Sequence, residues 1–376
     1  MDKIFWSKDK IKLLESYLEQ GNDYNEIAEK MNTTYKAIES ALRRYNLKKI
    51  SEYESEGACK NIKSKKLNVE ELTEAVKILG QKLTEEYKPL KLPVYNPALS
   101  KSKREEISIL DLSDIHGGML NKVYDEKQGE IITYNHSILL KELNTLQNSI
   151  FSIHSLLSKS YKLKKLHILG LGDWITNDRI FEEQIFEIEK VVGLQIWDMV
   201  GVLISLVNNL LKIYEEITIV GVVGNHGRSL PDSYDEPVEN NFEYHIYRIL
   251  QKQFEHNHRV TVIVPTTRRY IHKIGNWKHM IEHGDSVKGF SEQAIIKHVK
   301  ELHINVGGFD VFHMGHGHSI KEMEISDKVI IKINGAWIEK DNYAWRKFKT
   351  YSVPKQWFFG CNEHRPETWS FKIDLR

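Results

Sequence analysis

The amino-acid sequence predicts a layered α/β domain preceded by a small all-α module, and three observations predict it. From Ile107 onward, short apolar runs alternate with long amphipathic segments, as strands alternate with helices in a layered sheet. Five of those runs, ISILDLS, KLHILGLGD, ITIVGVVGN, KHMIEHGD and FDVFHMGH, are apolar and then meet Asp, Asn or His. Ahead of them, from Trp6 to Leu47, apolar residues recur at helical spacing.

In that N-terminal stretch Ile11, Leu14, Tyr17 and Leu18, then Ile27 and Met31, then Ala37, Ile38 and Leu42 mark three short helices. Gly21-Asn22-Asp23 ends the first and caps the second, and Asn32-Thr33-Thr34 supplies the turn and N-cap of the third. This is helix-turn-helix spacing. The third helix presents Lys36, Ser40, Arg43 and Arg44, a polar and basic surface suited to phosphates and base edges, so DNA is the expected partner of residues 1–50. A protein-interaction module is the competing reading, since three-helix bundles bury their faces without touching DNA. Residues 51–105 read as linker and helical connector, with a helical period over 67–87 and an extended, proline-containing lead into the next domain. Residues 106–376 form the α/β domain.

Composition narrows the classes. With 376 residues and 41% apolar content the chain can build a sizeable core. Lys+Arg of 53 against Asp+Glu of 52 leaves a formal charge of +1, so nucleic-acid binding has to come from a local patch. Cys59 and Cys361 are too few and too far apart for a disulfide framework or a thiolate zinc site. With no signal-peptide pattern and no run of about 18 apolar residues read from the sequence, a cytoplasmic protein with no membrane partner is expected.

At the five strand ends stand Asp114-Ile115-His116, Gly172-Asp173, Gly224-Asn225-His226, His283-Gly284-Asp285 and Gly315-His316-Gly317-His318. Ligands of open α/β sheets gather beyond the C-terminal strand ends, so these residues are expected along one edge. The ordered set D-x-H, G-D, G-N-H, H and G-H-x-H resembles the signature of the calcineurin-like metallophosphoesterases, although any one piece alone is weak. The resemblance implies a sandwich of two β-sheets flanked by helices. It also implies two divalent cations close enough to act together on the attacking and leaving oxygens of a phosphoryl transfer. Carried over residue by residue, it places Asp114, His116 and His318 on one cation, Asn225, His283 and His316 on the other, and Asp173 between them. A mixed N/O donor set without thiolate suits Mn²⁺, the first expectation, or Fe or Zn²⁺. The same resemblance implies a metal-bridging hydroxide as nucleophile and His226 as general acid to the leaving oxygen. Arg228 is a candidate phosphate clamp, because guanidinium binds phosphate bidentately.

Protein phosphatases of this superfamily follow G-D with an Asp three positions on and then an Arg. Here Gly172-Asp173 continues Trp174-Ile175-Thr176-Asn177-Asp178, which disfavours a protein Ser/Thr phosphatase and leaves Asn177 or Asp178 as partner for His226. Trp174 suits base stacking and core packing equally. His279, His298 and His303 match no motif position and read as hydrogen-bonded or solvated histidines. The aromatic tail resembles the closing segment of bacteriophage-encoded members, and Trp6 with YNEIAEKMNTTYKAIESALRRYNL resembles Myb/SANT-like and sigma-factor-like helix-turn-helix segments. The expectation is a metal-dependent DNA nuclease or other phosphodiesterase. Two alternatives stand beside it: a phosphomonoesterase or small-nucleotide phosphodiesterase recruited by its N-terminal module, and a DNA-binding regulator with a silent phosphoesterase domain.

Overall fold

The computed structural model describes residues 7–20, 22–45, 103–182, 184–231, 235–325, 329–340 and 353–376, without the side chains of Glu19, Arg43, Arg44, Tyr45 and Asp125. Trp6, Cys59, the connector through residue 102 with its 67–87 period, and residues 341–352 of the aromatic tail lie outside the described residues. The chain divides into two compact units, Met1–Pro97 and Ala98–Arg376.

In the first unit three helices form, α1 (Lys8–Glu19), α2 (Tyr24–Lys30) and α3 (Tyr35–Tyr45). Ser7 caps α1, and Asp23 with Glu26 forms a reciprocal capping box on α2. Asn32 turns the chain at a φ of 48°, and Thr34 Oγ1 accepts from Ala37 N at the start of α3. Helices this short are marginal alone in water. Leu14, Leu18, Ile27, Ile38 and Leu42 meet in one buried cluster, so the three hold one another. Lys36 and Ser40 are exposed on α3.

The second unit is built on two sheets. In the first, β1 (Arg104–Leu112), β4 (Tyr161–Gly170), β5 (Glu216–Gly221) and β6 (Val260–Ile263) run parallel, and β12 (Lys355–Cys361) and β13 (Trp369–Asp374) extend it antiparallel beyond β1. In the second, β8 (Trp277–Glu282), β9 (Val311–Met314) and β11 (Val329–Ile333) run parallel between antiparallel edges β7 (Arg269–Ile274) and β10 (Lys321–Ile325). A separate hairpin pairs β2 (Asn121–Asp125) with β3 (Gly129–Tyr134).

Successive strand residues point to opposite faces, and both faces of each sheet are apolar. Leu110, Ile168 and Ile219 face α4 (His136–Leu157), α5 (Val192–Leu210) and α6 (Phe242–Gln253) in one core cluster. Ile109, Leu169, Val220 and Phe359 face Ile274 and Ile281 between the sheets. On the far side Phe312, Met314 and Ile331 pack against α7 (Glu292–Asn305). The layers therefore run helix, sheet, sheet, helix. By length and composition α5 could cross a membrane, which corrects the sequence reading that no such run exists. Its Met199, Leu203, Leu206 and Leu210 pack into the first core cluster instead.

A polar row interrupts the apolar layer between the sheets. Asp111 Oδ2 lies 2.9 Å from His313 Nδ1, and His313 Nε2 lies 2.9 Å from His279 Nδ1, all three residues fully buried. Nearby, His167 Nδ1 meets His272 Nε2 at 3.0 Å. Burial, reinforced by the neighbouring imidazoles, pushes His279 well below the usual range and His167 down to about 3; burial also lowers His272. Such groups stay neutral when folded but accept protons when unfolded, near pH 6.5. Their contribution to stability is fully present above about pH 6.5 and is lost progressively as the pH falls toward the folded values. Thermal melts followed by circular dichroism are therefore expected to show Tm falling between pH 7 and pH 4.5, with a shallower fall in His167→Asn. An identical slope in the variant would count against this assignment.

Candidate metal centre

Each of the five expected strands ends in a turn at a common edge, and that edge belongs to both sheets. β1, β4 and β5 lead to Asp114 and His116, Asp173, and Asn225 and His226, while β8 and β9 lead to His283 and to His316 and His318. Backbone hydrogen bonds carry the pairing past the strands, from Asp114 N to Gly172 O and from His116 N to Asp173 O, each at 3.0 Å. The second sheet is stitched alike, Gly315 N donating to His283 O at 3.0 Å. Bonds also cross between the sheets at this edge, among them one from His316 N to Asp114 Oδ1 at 3.0 Å.

The turns are tight enough to force unusual backbone. Asp114, His116, Asp173, His316 and His318 have φ of 49°, 51°, 54°, 61° and 52°. Left-handed conformation at a non-glycine residue costs on the order of 1–3 kcal/mol and persists where the surroundings over-determine it. Gly172 and Gly224 stand back to back. A Cβ on Gly172, whose φ is +86°, would lie 2.6 Å from Gly224 Cα, and one on Gly224 would lie 2.1 Å from Asp173 Oδ1.

The side chains gather into two groups. Ligand atoms of Asp114, His116 and His318 lie within 4.8 Å of one another, as do those of Asp173, His283 and His316. His283 shows what the second group can hold. Its Nδ1 donates to Leu171 O at 2.7 Å, which leaves Nε2 as the lone-pair nitrogen. Around that nitrogen stand Asn225 Oδ1 at 2.9 Å, Asp173 Oδ2 at 3.0 Å and His316 Nδ1 at 3.1 Å. Three electron-rich atoms facing a fourth repel, and one proton relieves a single contact. A divalent cation relieves all of them, and spacings near 3 Å suit ligands each at roughly 2.0–2.2 Å from an ion. In the first group His116 Nε2 and His318 Nε2 face each other at 3.2 Å, and His318 Nε2 is 3.5 Å from Asp114 Oδ1.

Without a cation, these groups shift one another's protonation. Burial raises Asp114 to about 6, against the pull of His318 and His283. Burial would also raise Asp173, but His283 and His226 outweigh it and hold that carboxyl well below its ordinary value. His283 is raised to about 10, because Asp173 and Asp114 outweigh the lowering by burial. His116 and His316 are pushed well below the usual range by burial and by the imidazoles beside them. Two cations with Asp173 shared between them fit this donor set.

Around the ligands the remaining residues sort themselves. His226 N donates to Asp173 Oδ1 at 2.8 Å and its Nδ1 meets Thr176 O at 2.8 Å. Its ring stands edge-on to His116, centroids 4.6 Å apart, close enough that His116, Asp173 and His226 form a third group of ligand atoms. Asn177 Nδ2 donates to His226 O at 2.7 Å and Arg228 O at 2.8 Å, so Asn177 steadies His226 through its backbone, while Asp178 Oδ2 accepts from Val192 N. Arg228 is buried and its Nη2 is 2.5 Å from Asp285 Oδ2, which joins the loop after β5 to the turn after β8. Trp174 is a core residue: fully buried, donating from Nε1 to Leu112 O at 3.1 Å and packed 4.4 Å from the Tyr247 ring. His298 and His303 are hydrogen-bonded, to Glu282 and to Phe309 N. Sequence reasoning missed Phe181, whose ring lies 5.2 Å from that of His226, and Glu243, whose carboxylate lies beneath the Asp173 turn.

No family model and no curated protein matches the chain. Among solved structures it is similar to wild-type Vps29 complexed with Zn²⁺ from Entamoeba histolytica, at 12% identity over 72% of this chain and 99% of that one, TM-score 0.31. It is also similar to a conserved uncharacterized protein (predicted phosphoesterase) from Streptococcus pneumoniae TIGR4, at 12% identity over 71% and 98%, TM-score 0.28. A third is 5'-nucleotidase from Candida albicans SC5314, at 11% identity over 73% of this chain and 53% of that one, TM-score 0.35. Likenesses this distant assign no residue a role.

The back-to-back glycines give a direct check on the centre. Gly224→Ala is expected to displace the Asp173 carboxylate, destabilise the fold by about 1–3 kcal/mol and reduce the divalent metal the protein takes up. Denaturant melts and metal analysis of the purified variant measure both, and wild-type metal content would mean that Asp173 does not need this close approach.

Proposed function

We propose that the chain is a two-metal phosphoesterase of the calcineurin-like type that hydrolyses phosphodiester bonds in DNA. One observation carries the reading: ligand atoms of Asp114, His116 and His318 gather in one group and those of Asp173, His283 and His316 in another, and a third group of His116, Asp173 and His226 links the two. Asp114, His116 and His318 would hold one cation, Asn225, His283 and His316 the other, and Asp173 both. When bound, such a pair neutralises charge on phosphoryl oxygens and acidifies water.

The chain's own residues then supply positioning and a proton. With Nδ1 committed to Thr176 O, His226 keeps Nε2 for exchange with substrate. As a water oxygen bonds to phosphorus and the P–O bond to the leaving group breaks, a protonated Nε2 would give its proton to the leaving oxygen, which departs as a neutral alcohol. Asp173 Oδ1 and Asn177 Nδ2 fix the His226 backbone on both sides of the peptide. Phe181, 49% exposed, offers a flat apolar face beside that general acid, suited to a nucleobase on the leaving side. Lys36 and Ser40 on α3, with Arg43 and Arg44 along the same helix, support DNA as the partner of the first unit. A donor set of imidazoles, carboxylates and an amide suits Mn²⁺, Fe or Zn²⁺ alike, and Mn²⁺ is the ion used in the assays below.

Assayed with Mn²⁺, the protein is expected to cleave bis-p-nitrophenyl phosphate and labelled DNA faster than p-nitrophenyl phosphate. Monoester turnover alone would replace this reading with a phosphomonoesterase, and silence on every substrate with two metals bound would leave the DNA-binding regulator. His226→Ala is expected to keep two metals and lose about 10²- to 10⁴-fold in rate. Metal loss in that variant would make His226 a ligand. Lys36→Ala combined with Arg43→Ala in the full chain is expected to weaken DNA binding and to flatten its dependence on salt by roughly one per phosphate contact removed. Unchanged binding would assign the first unit to a protein partner.

A further inference from the structure

Resting on the reading of this site as a metal centre, we infer that Glu243 is the positioning residue that sets the spacing of the Asp173 and Asn225 turns. Glu243 sits in the first turn of α6 and is fully buried. No Lys or Arg pairs with it among the described residues, and its carboxylate takes backbone N–H groups instead. Oε2 accepts from Gly224 N at 2.7 Å and Asp173 N at 3.2 Å, and Oε1 from Trp174 N at 2.5 Å and Ile175 N at 3.4 Å. Two donors on each oxygen fill the four lone-pair sites of a carboxylate. The donors come from the two turns that carry the shared ligand Asp173 and the ligand Asn225.

The left-handed Asp173 explains why an anion belongs there. Successive N–H groups around a left-handed residue point to one side and form an anion-binding concavity. Glu243 fills that concavity from within the core. The rest of its helical turn holds the second loop as firmly. Asn241 Nδ2 donates to Gly224 O at 3.0 Å, Asn241 Oδ1 caps Glu243 N at 2.9 Å, and Phe242 N donates to Gly227 O at 2.7 Å. The first turn of α6 thus clamps residues 173–175 and 224–227 into one unit. Because Asp173 serves both cations, loosening the clamp weakens both.

The test is Mn²⁺ titration of the full-length protein by calorimetry, with free Mn²⁺ counted by electron paramagnetic resonance and Tm recorded for each variant. Glu243→Gln keeps the shape but leaves one acceptor oxygen and turns N–H donors toward N–H donors. It is expected to bind both Mn²⁺ ions about 10- to 100-fold more weakly, the range for residues that orient metal ligands. Glu243→Asp, which keeps both acceptors on a shorter arm, is expected to fall between it and wild type, and carries the comparison should Glu243→Gln not fold. Leu250→Ala removes a buried core side chain from the same helix and is expected to lower Tm with Mn²⁺ affinity unchanged. Wild-type affinity in Glu243→Gln would overturn the inference. So would an equal loss in Leu250→Ala, which would reduce the effect to general loosening of α6. Wild-type protein that binds no Mn²⁺ would remove the metal centre itself and the role of Glu243 with it.

Discussion

The constraint on which the rest of this structure depends is the convergence of electron-rich atoms on buried points between two sheets. Imidazole nitrogens, the Asp173 carboxylate and an amide oxygen face one another at spacings near 3 Å, and a single proton on His283 can satisfy only one of those contacts. The protein holds them there largely through backbone. Five turns carry the candidate ligands, and residues in five positions of those turns adopt left-handed φ. Strain of that kind survives only on a stiff support. The support is the four-layer packing, in which each sheet has apolar residues on both faces and neither can shift without opening a core.

The polar residues nearest the ligands serve the same end. Asn177 grips the carbonyls of His226 and Arg228, Asn334 bonds Ser113 and Gln356, and Gln356 Oε1 accepts from Ser113 N beside Asp114. All are buried; Asn177 and Gln356 occupy backbone groups that turns of this tightness leave without sheet partners, and Asn334 holds the Ser113 and Gln356 side chains beside them. Arg228 and Asp285 add one ion pair between loops that come from different sheets.

Much of this was legible in the sequence because ligands and strands announce themselves locally. A short apolar run followed by Asp, Asn or His sets both the strand and the residue it delivers, and all five such runs end where the ligand atoms gather. The division of those strands between two sheets was not readable from spacing, since it depends on pairings between distant segments. β12 joins β1 antiparallel, Ile107 opposite Cys361, and no local pattern encodes that partner. Trp174 was undecided because burial depends on Tyr247, far along the chain and on another element. α5 does not read as an apolar run because Gln195 and Asp198 interrupt it in sequence, while its helical face sums to a core surface.

Glu243 was hidden for a different reason. An acidic residue just after Asn at a helix start is what capping and the helix dipole favour anywhere, so its sequence context has an ordinary explanation. Its further partners lie in turns 19 to 70 residues earlier in the chain. The physical difference is that a dipole-favoured acid faces water, whereas this one is enclosed and satisfied wholly by main-chain donors. A buried polar network of that kind stiffens its surroundings only while every member is satisfied. Because both turns depend on one carboxylate, and both proposed cations would share one aspartate, such a centre would gain or lose its two ions together and not one at a time.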